Sequence, residues 1–242
     1  MPCVFVDFLS SAEDPNLKFQ YANLLKFVRL VAFFITLLLP GLYVAITNFH
    51  QEIIPTELLF AIVASRESVP FPIIVEILAM EISFEFIREA SLRVPSPIGT
   101  TIGIIGALIL GQAAVEASIV SPILIIIVAI TGITSFAIPD FYLSFHLRIV
   151  RFLYIIAGFL AGFLGIGIVL FSHLVLLCSL KSFGVSYLAP FVPATSKNNK
   201  AYFMPPFWNR EKRPDFLNTK RPQKEARISM KWKYKIGGNN GN

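Results

Sequence analysis

The chain has 242 residues, of which 55% are hydrophobic and 15% charged, with a net charge of +6 and a mean hydropathy of +0.68. Globular domains are less apolar and more charged, so the composition excludes an ordinary water-soluble domain and the excess needs lipid to face. The apolar residues fall in runs of about twenty, the length at which a helix spans a hydrocarbon core, and lack the alternation of a transmembrane barrel; the fold class is an all-α integral membrane protein.

Met1 to Phe8 has no basic region followed by an apolar core and a cleavage site, so it is not a secretory signal and targeting falls to the first span. Residues 1–29 read as a membrane-proximal cytoplasmic segment, because Lys18, Lys26 and Arg29 flank the first apolar run and such flanks mark the inside. The helical membrane domain, 30–178, opens with a span over 30–48, where Pro40 and Gly41 predict a kink. From Phe49 to Pro97, Pro55, Pro70 and Pro72 cut the chain into short pieces. The best helix there covers about 71–92. At about 100° per residue, Glu81, Glu85, Arg88 and Glu89 share one arc, while Met80, Ile82, Phe84, Phe86 and Ile87 cover the other. That pattern predicts an amphipathic helix, interfacial or re-entrant rather than spanning.

Two further spans, 98–115 and 119–138, are separated only by Glu116-Ala-Ser and must form a tight antiparallel pair. A fourth covers 152–178, where Gly158, Gly162 and Gly165 allow another helix to approach closely. From Lys181 onward thirteen Lys/Arg oppose three Asp/Glu. Residues 179–242 are therefore expected to form a basic, largely disordered cytoplasmic tail, held by anionic headgroups rather than nucleic acid. Both termini inside require an even number of crossings, and four spans satisfy this. Four crossings leave Arg88, Arg93, Arg148 and Arg151 on the outer side, against the positive-inside tendency. Letting the amphipathic helix span would bring them in but push the tail out, so the expectation stays at four.

Candidate functional residues follow from polarity at membrane depth, where charges are costly and face a cavity or a partner. Gln112 and Glu116 share one face at i, i+4 and suit a polar lining or a carboxylate ring that favours cations; equally, Glu116 only marks the turn or caps a helix. Thr131, Thr134 and Ser135 with Leu124, Ile127 and Val128 suit a wettable end joined to an apolar gate, or, alternatively, helix packing. Glu81, Glu85, Arg88 and Glu89 repel in part along their own helix, and call for cations such as Arg66, Arg93 or a neighbouring subunit. Cys3 and Cys178 read as packing residues, and His50, His146 and His173 have no ligand spacing, so neither metal nor cofactor is expected. The glycines at 99, 103, 106 and 111 lie inside an apolar run and make no phosphate loop. No nucleophile and base come together in the sequence, and no enzyme is expected.

Several segments carry a family resemblance: Phe8-Leu-Ser-Ser-Ala-Glu-Asp14, Leu39 to Glu52, Ala64-Ser-Arg-Glu-Ser-Val-Pro-Phe-Pro72, Arg88-Glu-Ala90, Pro95 to Gly99, Gly111 to Ala117, Ser121-Pro122 and Ser179 to Gly184. In this order they resemble the membrane half of the GerA family, the A-type subunits of spore germinant receptors, over nearly all of residues 5–190; beyond about Ala194 the match is poor. Paralogues of the SpoVAF type share this half. Family members carry a large soluble region before the first span, so the chain resembles a fragment, a truncated product or a separately encoded half. The resemblance implies a subunit of the spore inner membrane that acts with a transporter-like B subunit and a lipoprotein C subunit. It also implies homo-oligomerisation into a nutrient-gated ion channel. A secondary transporter and a structural scaffold are the rival functions; a transporter predicts internal repeats, which the sequence does not show.

Overall fold

The computed structural model describes residues 4–94, 96–189 and 191–192, apart from the side chains of 92, 93, 96–102, 104 and 105. The tail beyond 192 and the Arg93 side chain, both assigned roles from sequence, lie outside the described residues. The elements are α1 (Phe5–Phe8), α2 (Phe19–Phe49), α3 (Thr56–Arg66), α4 (Ile73–Arg93), α5 (Ser96–Glu116), α6 (Pro122–Phe136), α7 (Phe141–Ser179) and the short strands β1 (Lys181–Ser182) and β2 (Val185–Ser186). Contacts divide the chain into two units, Arg29–Leu174 on the one hand and Met1–Val28 with Val175–Asn242 on the other.

In the second unit, the Phe5 N–H donates to Tyr187 O at 2.8 Å, and the rings of Phe5 and Phe8 lie about 6 Å from that of Tyr187. Leu9 and Ala189 are buried there. The strands form an antiparallel hairpin closed by Phe183 and Gly184. Both have positive φ, 51° and 83°, the geometry that two-residue turns need to follow the strand twist.

Within Arg29–Leu174, proline decides where helices begin. Pro55 and Pro72 stand just before α3 and α4, and Pro122 occupies the first turn of α6, where its missing N–H costs nothing. The α5–α6 turn is a Schellman closure: Ile119 N–H donates to Ala114 O and Ser118 N–H to Val115 O, both at 2.9 Å, with Ser118 left-handed at φ 52°. Glu116 lies in the last turn of α5, exposed. It does not cap that end, since a carboxylate has no proton to offer the orphan carbonyls. Helix α2 runs through Pro40 and Gly41 as one helix, with no break in its helical backbone.

The break falls in α7 instead. Ala161 (φ −139°, ψ 17°) and Gly162 (φ 59°, ψ −139°) leave helical space, and the ring of His173 lies 5.8 Å from that of His146 and 6.4 Å from that of Tyr154. In an unbroken helix His146 and His173 would be about 40 Å apart at 1.5 Å per residue. The stretch read from sequence as one span over 152–178 therefore comprises the second half of one arm, the turn and the return arm of a helical hairpin, with arms 141–160 and 163–179. Gly162 is the residue that makes the reversal sterically open, because its positive φ with ψ near −139° is a region L side chains avoid.

Paired contacts give each helix a direction. Gly41 packs on Tyr154 and Gly158, and Phe49 and His50 on Gly162, so the first arm of α7 runs parallel to α2. Glu81 meets Arg151 and Glu85 meets Arg148, so α4 runs against that arm. Ile87 faces Gly106 and Ser91 faces Gly103, which sets α5 against α4. Ser121 lies beside Glu76 and Gly132 beside Arg88, which sets α6 along α4. The result is six helical segments of alternating direction: α2, α4, α5, α6 and the two arms of α7. A core shared by α2, α4, α6 and the first arm of α7 contains Tyr43, Val44, Ile73, Ile77, Met80, Val120, Leu124, Val128 and Ile155, with Leu110 and Ala114 of α5 packed against it. By length and composition α2 and α7 qualify as membrane-crossing helices, whereas α6 and the described apolar part of α5 are shorter; two helices of spanning length do not establish the four spans expected from sequence, and α7 is divided at Ala161 and Gly162.

Candidate functional site

Helix α4 presents carboxylates to three different neighbours. Glu76 is buried, accepts from the Arg66 guanidinium of α3 at 3.1 Å, and accepts the Ser121 N–H at 3.1 Å. Ser121 is the residue before the first turn of α6, so this carboxylate sits where the helix dipole is positive. One and a half turns on, Glu81 pairs with Arg151 at 2.7 Å, and the two side chains are 1% and 2% exposed. A turn further, Glu85 pairs with Arg148 at 2.5 Å, half-buried on the carboxylate side. Arg148 also donates from Nε to Ser144 O.

Sequence reading placed Glu81 and Glu85 in an ionic cluster, and the structure puts both in ion pairs. The cations differ from those expected. Arg66 pairs with Glu76, which the sequence reading passed over, and the partners of Glu81 and Glu85 are Arg151 and Arg148 of α7, read there only as topology signals. The available signal was their spacing at i, i+3, matching Glu81 and Glu85 at i, i+4 on a helix running the other way. Arg88 lies near this row but forms no described ion pair: its Nη2 donates to Gly132 O at 3.3 Å and its guanidinium lies over the Phe136 ring at 4.4 Å. Glu89 is exposed.

Burying a pair this deeply is not a simple gain, because desolvation offsets much of the attraction, but deleting one partner strands the other charge. Among the described residues Glu81 Oε1, Arg151 Nε and Nη1, and Tyr154 OH are buried without hydrogen-bond partners. The row is thus ionic, enclosed and only partly satisfied.

The gate candidates separate into two groups. Leu124, Val128, Thr131 and Ser135 are buried on one face of α6 and turned into this chain's own interior. Thr131 Oγ1 donates to Ile127 O at 2.8 Å and Ser135 Oγ to Gly132 O at 2.6 Å, so both hydroxyls are satisfied by their own helix. Thr134 Oγ1 accepts from Thr36 Oγ1 at 3.0 Å, a link between α6 and α2. Ile127 is half-buried. Gln112 and Glu116 are exposed on α5 and line a groove of ≈ 1370 Å³ on the other side of α6, between α4, α5 and α6. The structure does not bring the two groups together.

Comparison with known proteins agrees with the resemblance. The family described as Bacillus/Clostridium GerA spore germination protein matches residues 1–216, further into the tail than the sequence motifs reach. Spore germination protein KA of Bacillus subtilis (strain 168) is 48% identical over 218 residues, 90% of this chain and 40% of that protein. An uncharacterized membrane protein YfkQ of the same organism is 41% identical, covering 93% of this chain and 44% of its own length. Spore germination protein GerLA of Bacillus cereus is also 41% identical, covering 90% of this chain and 45% of its own length. The chain therefore spans less than half the length of these relatives. No solved structure matches it.

Proposed function

The chain belongs to the GerA family of spore germination proteins, and on that footing we propose that it is the membrane portion of an A-type germinant-receptor subunit. In this reading its copies assemble in the spore inner membrane into a nutrient-gated path for monovalent cations. It works there with a transporter-like B subunit that binds the nutrient and with a lipoprotein C subunit, and it performs no catalytic chemistry itself. A germination role is supported by relatives named as spore germination proteins.

The channel reading is carried by the ionic row. Charges inside apolar helices are rare, and where they occur they line ion pathways or hold two-state contacts. Glu81 with Arg151 and Glu85 with Arg148 join α4 to α7 at such a depth, a device that a passive scaffold does not need. Gln112 and Glu116, at the end of α5 away from Arg88, suit a cation-attracting mouth. Six alternating passes also suit a multi-pass topology with both termini cytoplasmic. Arg88, Arg93, Arg148 and Arg151 then fall toward the inner side, in keeping with the positive-inside tendency.

The test is reconstitution of the full-length parent with its B and C partners in liposomes loaded with potassium. Nutrient is expected to release potassium through discrete, non-saturating conductance. Saturable flux would identify a transporter, and a stable complex without flux would identify a scaffold.

A further inference from the structure

We propose that the groove between α4, α5 and α6 is a binding site for an anionic phospholipid, with the phosphate on Arg88 and an acyl chain along the groove. The walls are apolar, with Ile87, Leu108, Ile125, Ile126 and Ile133 among them, and Ala129 keeps the floor low. Among the described residues Arg88 is the cation in this lining, and it stands at the end marked by Gly132 and Phe136.

Charge balance says what Arg88 lacks. Arg148 and Arg151 engage Glu85 and Glu81, and the described residues give Arg88 a single carbonyl and an aromatic face in contact, with Glu85 and Glu81 attracting it only from beyond ion-pair distance. The row of Arg88, Arg148 and Arg151 against Glu81 and Glu85 leaves one positive charge over, and an arginine in that position, opening onto an apolar groove, calls for an anion that arrives with its own apolar body. A guanidinium fork fits phosphate oxygens in a bidentate manner.

Length points the same way. From Phe136 to Pro122 α6 covers about 20 Å at 1.5 Å per residue. One leaflet of a hydrocarbon core is about 15 Å thick, half of the usual 30 Å, which leaves room for the headgroup at the Arg88 end. A second copy of the chain fits less well. Copies related by an axis along the membrane normal keep every residue at its own depth, and the groove's own carboxylate, Glu116, lies at the opposite end from Arg88.

The test uses the purified chain, stripped of lipid and titrated with phosphatidylglycerol, phosphatidylcholine or inorganic phosphate while retained adducts are counted by native mass spectrometry. Phosphatidylglycerol is expected to be retained at a concentration at least tenfold lower than phosphatidylcholine. Arg88→Ala should abolish that preference and Arg88→Lys should keep part of it. Ala129→Trp, which fills the groove and leaves Arg88 in place, should remove phosphatidylglycerol binding as well, and it serves as the second variant if Arg88→Ala fails to fold. Equal retention of the two lipids, or an unaltered preference in both variants, overturns the proposal. Competition by inorganic phosphate alone at equal concentration would reassign the site to free phosphate. A cysteine cross-link between copies at Ile126, insensitive to added phosphatidylglycerol, would reassign the groove to a neighbouring chain.

Discussion

Glu81 and Arg151 are nearly inaccessible, so neither charge has solvent to fall back on. Replacing either one alone by Ala is expected to cost about 3–5 kcal/mol, because the survivor is left as an uncompensated buried charge. Replacing both, as Glu81→Met with Arg151→Leu, should recover most of that stability while altering ion retention. A double-mutant cycle on unfolding in detergent checks the first part, and potassium release checks the second. Glycine positions make equally local demands. A Cβ on Gly41 would lie 2.7 Å from Tyr154 O, and one on Gly158 would lie 2.5 Å from Gly41 O. Gly41→Ala is thus expected to destabilise by about 1–3 kcal/mol through forced separation of α2 from α7, measurable as a lowered unfolding midpoint. Of these residue-scale features, sequence showed that Gly158 admits a close helix and that Glu81 needs a cation. Which helix and which cation depended on contacts far apart in the chain.

At the scale of elements, α7 shows how hydropathy loses information. From Phe152 onward the chain is apolar on both sides of the reversal, and nothing polar marks it at Ala161 and Gly162, so hydropathy reads one long helix. Proline usually announces such a break; here a glycine in a positive-φ conformation does so, and glycine is common inside membrane helices for packing reasons alone. With Cys3 and Cys178 both replaced by Ser, cysteines introduced as His146→Cys and His173→Cys should be joined within one chain by a short bifunctional maleimide. In an unbroken helix they would be about 40 Å apart and would remain unlinked; mobility on a denaturing gel after an engineered cleavage at 162 distinguishes the two. Helix α4 carries the complementary lesson. Its charged arc looks like a wet face when read alone, yet Glu81 is buried because α7 supplies guanidinium groups to it.

At the scale of the whole molecule, six passes and four passes differ at two loops. With six, Ser118 lies on the side opposite the termini and Tyr142 on the same side; with four, these positions are exchanged. Ser118→Cys is therefore expected to react with an impermeant maleimide added to the outside of intact cells or right-side-out vesicles, and Tyr142→Cys only after permeabilisation. The reverse pattern would restore four crossings. The positive-inside conflict that four spans create is removed in the six-pass arrangement by a pair of changes acting together. Adding α4 as a pass inverts everything after it, and dividing α7 inverts the tail back.

Sequence alone determined that this protein is mostly helical, that it carries helices long and apolar enough to cross a membrane, and where most apolar helices lie, since run length and composition are local quantities that the hydrophobic effect reads directly. It also determined the family, through short motifs spread over most of the chain. Tertiary structure decided which carboxylate meets which arginine, where α7 reverses, and that the polar face of α6 turns inward. Those outcomes depend on pairing between helices far apart in sequence, where a buried charge or a close glycine contact has meaning only once its partner is in place.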